Sequence, residues 1–176
     1  MGRDKALLPY RAHTLAGFVA REVARAAGSA VLVGSPQAYE SIGFSIISDR
    51  YPGEGPLGGI VTALADTEAQ WNLVTACDMP AVSADFFKLL LETAEAADCG
   101  ALIPINPVSG RSEPLCAVYA RHARTALEAA FARGVRKVMA ALEDSTGELR
   151  VVRFTTAEVA SFRNVNTPEE WAAVDL

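Results

Sequence analysis

The stretch Trp71-Asn-Leu-Val-Thr-Ala-Cys-Asp-Met-Pro80 sets the architecture. Its first six residues are short, apolar and rich in strand formers, and the chain must turn at Asp78-Met-Pro80. They predict a buried strand ending at an acidic side chain. Upstream, residues 30–33 and 44–49 read as two further strands, the second ending at Asp49. A helix is expected over 14–27, with Leu15, Phe18, Val19 and Val23 on one face, Thr14 at the N-cap and Gly28 as the terminating glycine. Another is expected over 60–66, and a third over 83–97, carrying Phe86, Phe87, Leu90 and Leu91. Downstream, 101–103 and 114–119 read as extended, 122–133 and 136–142 as helical, and 149–154 as a late strand. A terminal helix over 168–174 opens with Pro168 in its first turn. Strands alternating with helices predict one α/β domain over residues 1–176, a mainly parallel sheet with helices on both faces. Ligands of such sheets bind outside the carboxyl ends of the strands.

Composition narrows the function. The chain has 176 residues, 51% of them hydrophobic and 21% charged, enough for one well-packed domain. Its net charge of -5 argues against nonspecific nucleic-acid binding, which needs a basic field. Charges interrupt every long apolar stretch, so no membrane span is expected. The basic N-terminus lacks a signal-peptide apolar core, so a cytoplasmic protein is expected. Cys77, Cys99 and Cys116 show no C-x-x-C spacing and are expected to be reduced thiols rather than a zinc or disulfide framework. His13 and His122 have no partner at metal-ligand spacing, and the serines of Ser109-Gly-Arg-Ser112 form no nucleophile elbow.

The strand-end rule leaves three places for chemistry. Asp78 can hold a divalent cation, because Mg²⁺ takes one or two protein carboxylates and fills its shell with water and phosphate oxygens. It can equally cap its own turn. Asp49 has the same two readings, a ligand contact or a turn-initiating Asp before Pro52-Gly53. Between them, Pro52-Gly-Glu-Gly-Pro-Leu-Gly-Gly59 carries four glycines in eight residues. Such a loop lets backbone approach a ligand closely, and the helix after it offers free N–H groups. It lacks the Gly-Lys-Ser/Thr ending of a Walker A loop. Arg3 and Lys5 are the cations nearest the start of the chain. A lysine there can neutralise a phosphate leaving group or simply be solvated.

Five segments occur in order: Met1-Gly-Arg-Asp-Lys-Ala-Leu-Leu8, Gly55-Pro-Leu-Gly-Gly-Ile60, Cys77-Asp-Met-Pro80, Glu113-Pro-Leu-Cys-Ala-Val-Tyr119 and Asn164-Val-Asn-Thr-Pro-Glu-Glu170. Together they resemble the molybdenum cofactor guanylyltransferase family across nearly the whole chain. The resemblance implies a Rossmann-like nucleotidyltransferase fold and transfer of GMP from GTP to molybdopterin, with release of pyrophosphate. It implies Mg²⁺ on Asp78 and catalytic roles for Lys5 and Asp78. Lys5, Gly34, Asp49, Gly58 and Asp78 would form the nucleotide side, and Arg136, Lys137, Asn164 and Asn166 the pterin side. GTP and molybdopterin are the implied substrates, molybdoenzyme-maturation proteins the implied partners, and a monomer or weak homo-oligomer the implied state. The family opens with a strand and a glycine-rich loop directly ahead of Met-Gly-x-Asp-Lys, whereas this sequence begins at that Met. The expectation is therefore a sheet lacking its first strand, from a miscalled start or a truncated form. Alternative readings are a nucleotidyltransferase using CTP or a sugar phosphate, and a non-catalytic truncated paralogue that binds pterin or a partner.

Overall fold

The computed structural model describes residues 4–145, 147–157, 160–163, 165 and 170–171. A two-stranded hairpin, β1 (Pro9–Tyr10) and β2 (His13–Thr14), leads into helix α1 (Leu15–Ala27). Thr14 caps α1 by accepting from the Gly17 N–H, and Gly28 ends it at φ 84°, where an L side chain is disfavoured. Strand β3 (Val31–Gly34), the single-turn helix α2 (Pro36–Tyr39) and β4 (Ser45–Ser48) follow. Then come α3 (Pro56–Asp66), β5 (Trp71–Thr75), α4 (Ala84–Ala97), β6 (Ala101–Ile105) and β7 (Cys116–Ala120). The described elements close with α5 (Ala123–Ala132), α6 (Val138–Asp144) and β8 (Val151–Thr155). Most of the expected terminal helix, and both Asn164 and Asn166, lie outside the described residues.

The larger sheet has the order β5-β7-β6-β8. There β5, β6 and β8 run in one direction and β7 runs against them. The mainly parallel expectation thus gains one reversed strand. β6 returns to β7 through a short connection that needs no crossover helix, and Asn106 begins its turn by accepting from the Val108 and Ser109 N–H groups.

Period-two alternation splits the core into two layers. Ala101, Ile103, Ala117 and Tyr119 face a layer made with α3, α5 and α6. Leu102, Cys116 and Val118 face the other, filled by Phe86, Phe87 and Leu90 of α4 and Val19 of α1. Every residue of β7 is buried. The two layers confirm helices on both faces. Glu22 of α1 ties the second layer together: its carboxylate accepts the Ala84 N–H at 2.7 Å, placing negative charge at the positive end of α4.

β3 and β4 pair parallel in a separate two-stranded sheet. Between that sheet and the β5 edge lies a cavity of about 700 Å³. Its edges are Val31–Val33 on one side and 71–76 on the other, with α1 and α3 above and below. The two sheets are therefore separated by this cavity rather than hydrogen-bonded to each other. β3 and β5 are only half-buried along much of their length, whereas β7 is fully enclosed.

Helix α3 starts at Pro56, four residues earlier than the periodicity suggests. Proline at the first helical position has its φ already set and no N–H to leave unpaired. Gly55, at φ 83°, makes the turn into it. Gly58 and Gly59 consequently belong to the first turn of the helix rather than to the loop.

Candidate active site

The carboxyl ends of β3, β4 and β5 meet at one end of the cavity. Asp4 and Lys5 line it together with Cys77 and Asp78, and the first turns of α3 contribute Pro56, Gly59 and Ile60. The structure thus gathers two of the expected site residues, Lys5 and Asp78, on one wall system. Asp49 and Gly34 stand at neighbouring strand ends, joined by the Asp49 N–H donating to the Gly34 carbonyl at 3.4 Å.

Asp78 is held through its backbone. Its carbonyl accepts the Val165 N–H at 2.9 Å. Tyr10 donates its hydroxyl to the Pro80 carbonyl at 3.0 Å, pinning the hairpin to the turn after β5. The side chain shows the opposite situation. Asp78 Oδ1 is buried and has no hydrogen-bond partner among the described residues. A capping Asp would spend that oxygen on a nearby N–H, so the turn-capping reading loses its support at this atom. Leaving an anionic oxygen buried and unpaired is costly, and a hard cation with oxygen preference matches it. Among the described residues no group of three or more His, Cys, Asp or Glu is placed to hold a metal ion. Asp78 offers a single carboxylate, and Mg²⁺ commonly takes one or two protein carboxylates and completes its shell with water or substrate oxygen.

Asp49 does different work. Its Oδ1 accepts the Tyr51 N–H at 2.9 Å and the hydroxyl of buried Thr62 at 3.3 Å. It organises the start of the glycine-rich loop, as the turn-initiating reading anticipated, at a strand end beside Gly34. Gly58 is buried, and a Cβ there would approach Tyr51 Cβ to 3.0 Å. The absent side chain lets α3 pack on Tyr51, and it is Gly59 that reaches the cavity wall.

Arg136 is committed to protein contacts. Its Nε donates to Glu54 Oε2 at 2.5 Å and its Nη1 to the carbonyls of Phe131 and Val135, while its guanidinium lies 4.0 Å from the Phe131 ring centroid. It anchors the glycine-rich loop from outside. Lys137 is exposed at the N-cap of α6. Asn164 and Asn166 flank Val165 in the chain, so the residue bonded to the Asp78 carbonyl is their immediate neighbour.

Cys77 lies beside this group, half-buried, with its thiol pushed up to about 11, first by burial and then by the Asp78 and Asp4 carboxylates. Such a thiol stays protonated and is no nucleophile at neutral pH. Burial pushes Cys116 up to about 12, and all three cysteines are free. Sequence reasoning missed Tyr39. Its hydroxyl donates to Asp4 Oδ2 at 2.7 Å, and nothing in a four-residue helix between two strands announces that contact.

Helices on both faces of a mixed sheet, with a crevice at its strand ends, give the Rossmann-like fold that this chain shares with nucleotidyltransferases of known structure. Residues 1–146 match the MobA-like NTP transferase domain family, and the chain belongs to it. A probable molybdenum cofactor guanylyltransferase of Bacillus cereus is 29% identical, over 97% of this chain and 86% of its own length. One from Methanothermobacter thermautotrophicus is 34% identical over 71% of this chain and 64% of its own. Among solved structures, molybdopterin-guanine dinucleotide biosynthesis protein A from Archaeoglobus fulgidus superposes with a TM-score of 0.77 at 29% identity, over 98% of this chain and 89% of that one. The 2-C-methyl-D-erythritol 4-phosphate cytidylyltransferase of Thermus thermophilus, at 19% identity and a TM-score of 0.73, shares the fold, over 96% of this chain and 91% of that one. Among the described residues no helix is long and apolar enough to cross a membrane.

Proposed function

We propose that this chain transfers GMP from GTP to the terminal phosphate of molybdopterin and releases pyrophosphate, with Asp78 as the carboxylate that holds Mg²⁺. The observation that carries the proposal is the buried Asp78 Oδ1, without a hydrogen-bond partner among the described residues, on a cavity wall shared with Lys5. The names of the relatives support the guanine nucleotide and the pterin acceptor.

The chemistry asks for no protein nucleophile. An oxygen of the acceptor phosphate forms a bond to the α-phosphorus of GTP, and the bond from that phosphorus to the β-phosphate bridging oxygen breaks. Catalysis then reduces to positioning and charge balance. Bound at Asp78, Mg²⁺ supplies neutralisation of phosphate-oxygen charge. Lys5 balances the charge on the departing pyrophosphate. Gly34, Asp49 and the α3 end with Gly58 and Gly59 form the nucleotide side. Asn164, Asn166 and Lys137 belong to the pterin side, with Arg136 supporting it by holding the glycine-rich loop through Glu54; Val165, between the two asparagines in sequence, bonds the Asp78 carbonyl. Passing the dinucleotide to molybdoenzyme-maturation proteins in the cytoplasm, as a monomer or weak homo-oligomer, belongs to the same proposal.

The test is a nucleotide panel. The purified chain is given GTP, CTP, ATP and UTP with molybdopterin and Mg²⁺, and pyrophosphate and the dinucleotide are measured together. GTP-dependent formation of both is expected. Turnover with CTP alone, or pterin binding with no nucleotide binding, would replace this reading with one of its rivals.

A further inference from the structure

Lys5 stands on the first described turn of the chain, and something must hold it against a cavity that faces solvent. The holding is visible. Asp4 is the N-cap of the 3-10 turn Lys5–Leu7 and accepts the Ala6 N–H on Oδ1 at 3.0 Å. Its other oxygen accepts the Tyr39 hydroxyl at 2.7 Å. Both oxygens of one carboxylate are thus spent, one inside the Lys5 turn and one on an element thirty-five residues away. On the far side of Lys5, Ala6 is buried against Ala16 and Ile42. Lys5 is therefore clamped between a bonded Asp4 and a buried Ala6.

Tyr39 is itself held by a gap in the sequence of side chains. A Cβ on Gly34 would meet Tyr39 Cε2 at 2.7 Å, closer than real Cβ atoms approach anything. Gly34 has no positive φ to explain its identity. Space explains it: the Tyr39 ring occupies the volume a side chain would need, packed with Leu32, Ile42 and Phe44. An alanine at Gly34 must push the ring aside, and the ring carries the hydroxyl that holds Asp4.

We propose that Tyr39 is a positioning residue for Lys5, acting through Asp4, and that Gly34 serves the site by making room for the Tyr39 ring. This rests on the reading of Lys5 as the cation for the terminal phosphates of the triphosphate, and it extends that reading to residues that act on Lys5 through one another. The route gives a signature that loss of folding does not. On that reading Lys5 serves the β- and γ-phosphates, so misplacing it weakens GTP and leaves GMP unaffected.

The experiment compares GTP and GMP affinity, by calorimetry with Mg²⁺, for wild type, Tyr39→Phe, Asp4→Asn, Gly34→Ala and the Tyr39→Phe/Asp4→Asn pair. Losing a hydrogen bond to an exposed carboxylate predicts GTP affinity roughly fivefold weaker in Tyr39→Phe, with GMP unchanged. Gly34→Ala weakens GTP in the same direction, and its GMP affinity is left out of the comparison because Gly34 also stands on the nucleotide side. The double variant loses no more than the worse single one, because both break one link. In Tyr39→Phe, unchanged GTP affinity overturns the inference, and so does an equal loss for GTP and GMP. A wild-type chain that binds no triphosphate overturns the underlying reading of the site as well. Wild-type binding with an indifferent Tyr39→Phe overturns the positioning role alone.

Discussion

Replacing Asp78 with alanine makes the metal-free protein more stable while removing its response to Mg²⁺. The Oδ1 atom is buried with no hydrogen-bond partner among the described residues. A buried unsatisfied acceptor costs about 1–3 kcal/mol, more when charged. The residue as a whole is only half-buried, which favours the lower half of that range. The backbone bond from Val165 does not depend on the side chain, and truncating one carboxylate leaves little void. The expected net gain is therefore about 1 kcal/mol in chelator-treated protein, or roughly 2–4 °C in melting temperature for a chain of this size. Calorimetric melting with and without Mg²⁺ measures both halves of the statement. Wild type should gain stability with Mg²⁺ and GTP in the manner of any ligand that binds only the folded state, and the variant should gain none. A variant less stable than wild type without metal would refute the argument, because it would mean that Asp78 makes stabilising contacts of its own.

Other outcomes follow from the same geometry. Gly58→Ala places a Cβ 3.0 Å from Tyr51 Cβ, a backbone-near contact that cannot swing away. It should cost about 1–2 kcal/mol in urea unfolding. Tyr39 is raised to about 12, first by its hydrogen bond to Asp4, then by burial and the Asp4 charge. The raised value means that the folded state favours the protonated phenol. Its stabilising contribution is complete below pH 10, where an unfolded tyrosine begins to ionise, and is lost as pH rises through about 12. Ultraviolet titration should show Tyr39 ionising late, alongside the fully buried Tyr119 that burial also raises, and Asp4→Ala should bring Tyr39 alone back toward the ordinary value. Hydrogen exchange should be fast at the cavity-facing amides of β3 and β5 and slow throughout the enclosed β7. Equal protection across all three would mean that the two sheets close on each other in solution.

Much of this fold is legible in the sequence because its elements obey local rules. Thr14 and Gly28 mark the ends of α1 by side-chain capping and positive φ, and Ser83 does the same at the start of α4 by accepting the Phe86 N–H. The two-faced core follows from alternation along 101–103 and 116–119. Three features are not local. The reversal of β7 depends on which edge a returning strand finds, which periodicity does not encode. The early start of α3 hides behind glycines, whose low helix propensity argues for a loop until Pro56 is recognised as a first-turn residue. The contact of Tyr39 with Asp4 joins two segments whose separation carries no pattern. In the site, Asp78 stands out because a strand ends in an acid just before a proline. The division of labour between Asp78 and Asp49 does not, since both are strand-end acids. Only the partners of their oxygens separate Asp78, whose Oδ1 has none among the described residues, from Asp49, whose Oδ1 is spent on Tyr51 and Thr62. Arg136, a basic residue in an attractive position, proves to be occupied by Glu54 and two carbonyls.

The central claim is that one carboxylate, Asp78, couples a divalent cation to a purine triphosphate. Its most direct measurement is GTP titration by calorimetry at saturating Mg²⁺ and again in excess chelator, for wild type and Asp78→Ala. The account predicts tight binding only for wild type with Mg²⁺, and equal, weak binding in the other three conditions. Cation-independent binding by wild type, or undiminished cation-dependent binding by the variant, would contradict it.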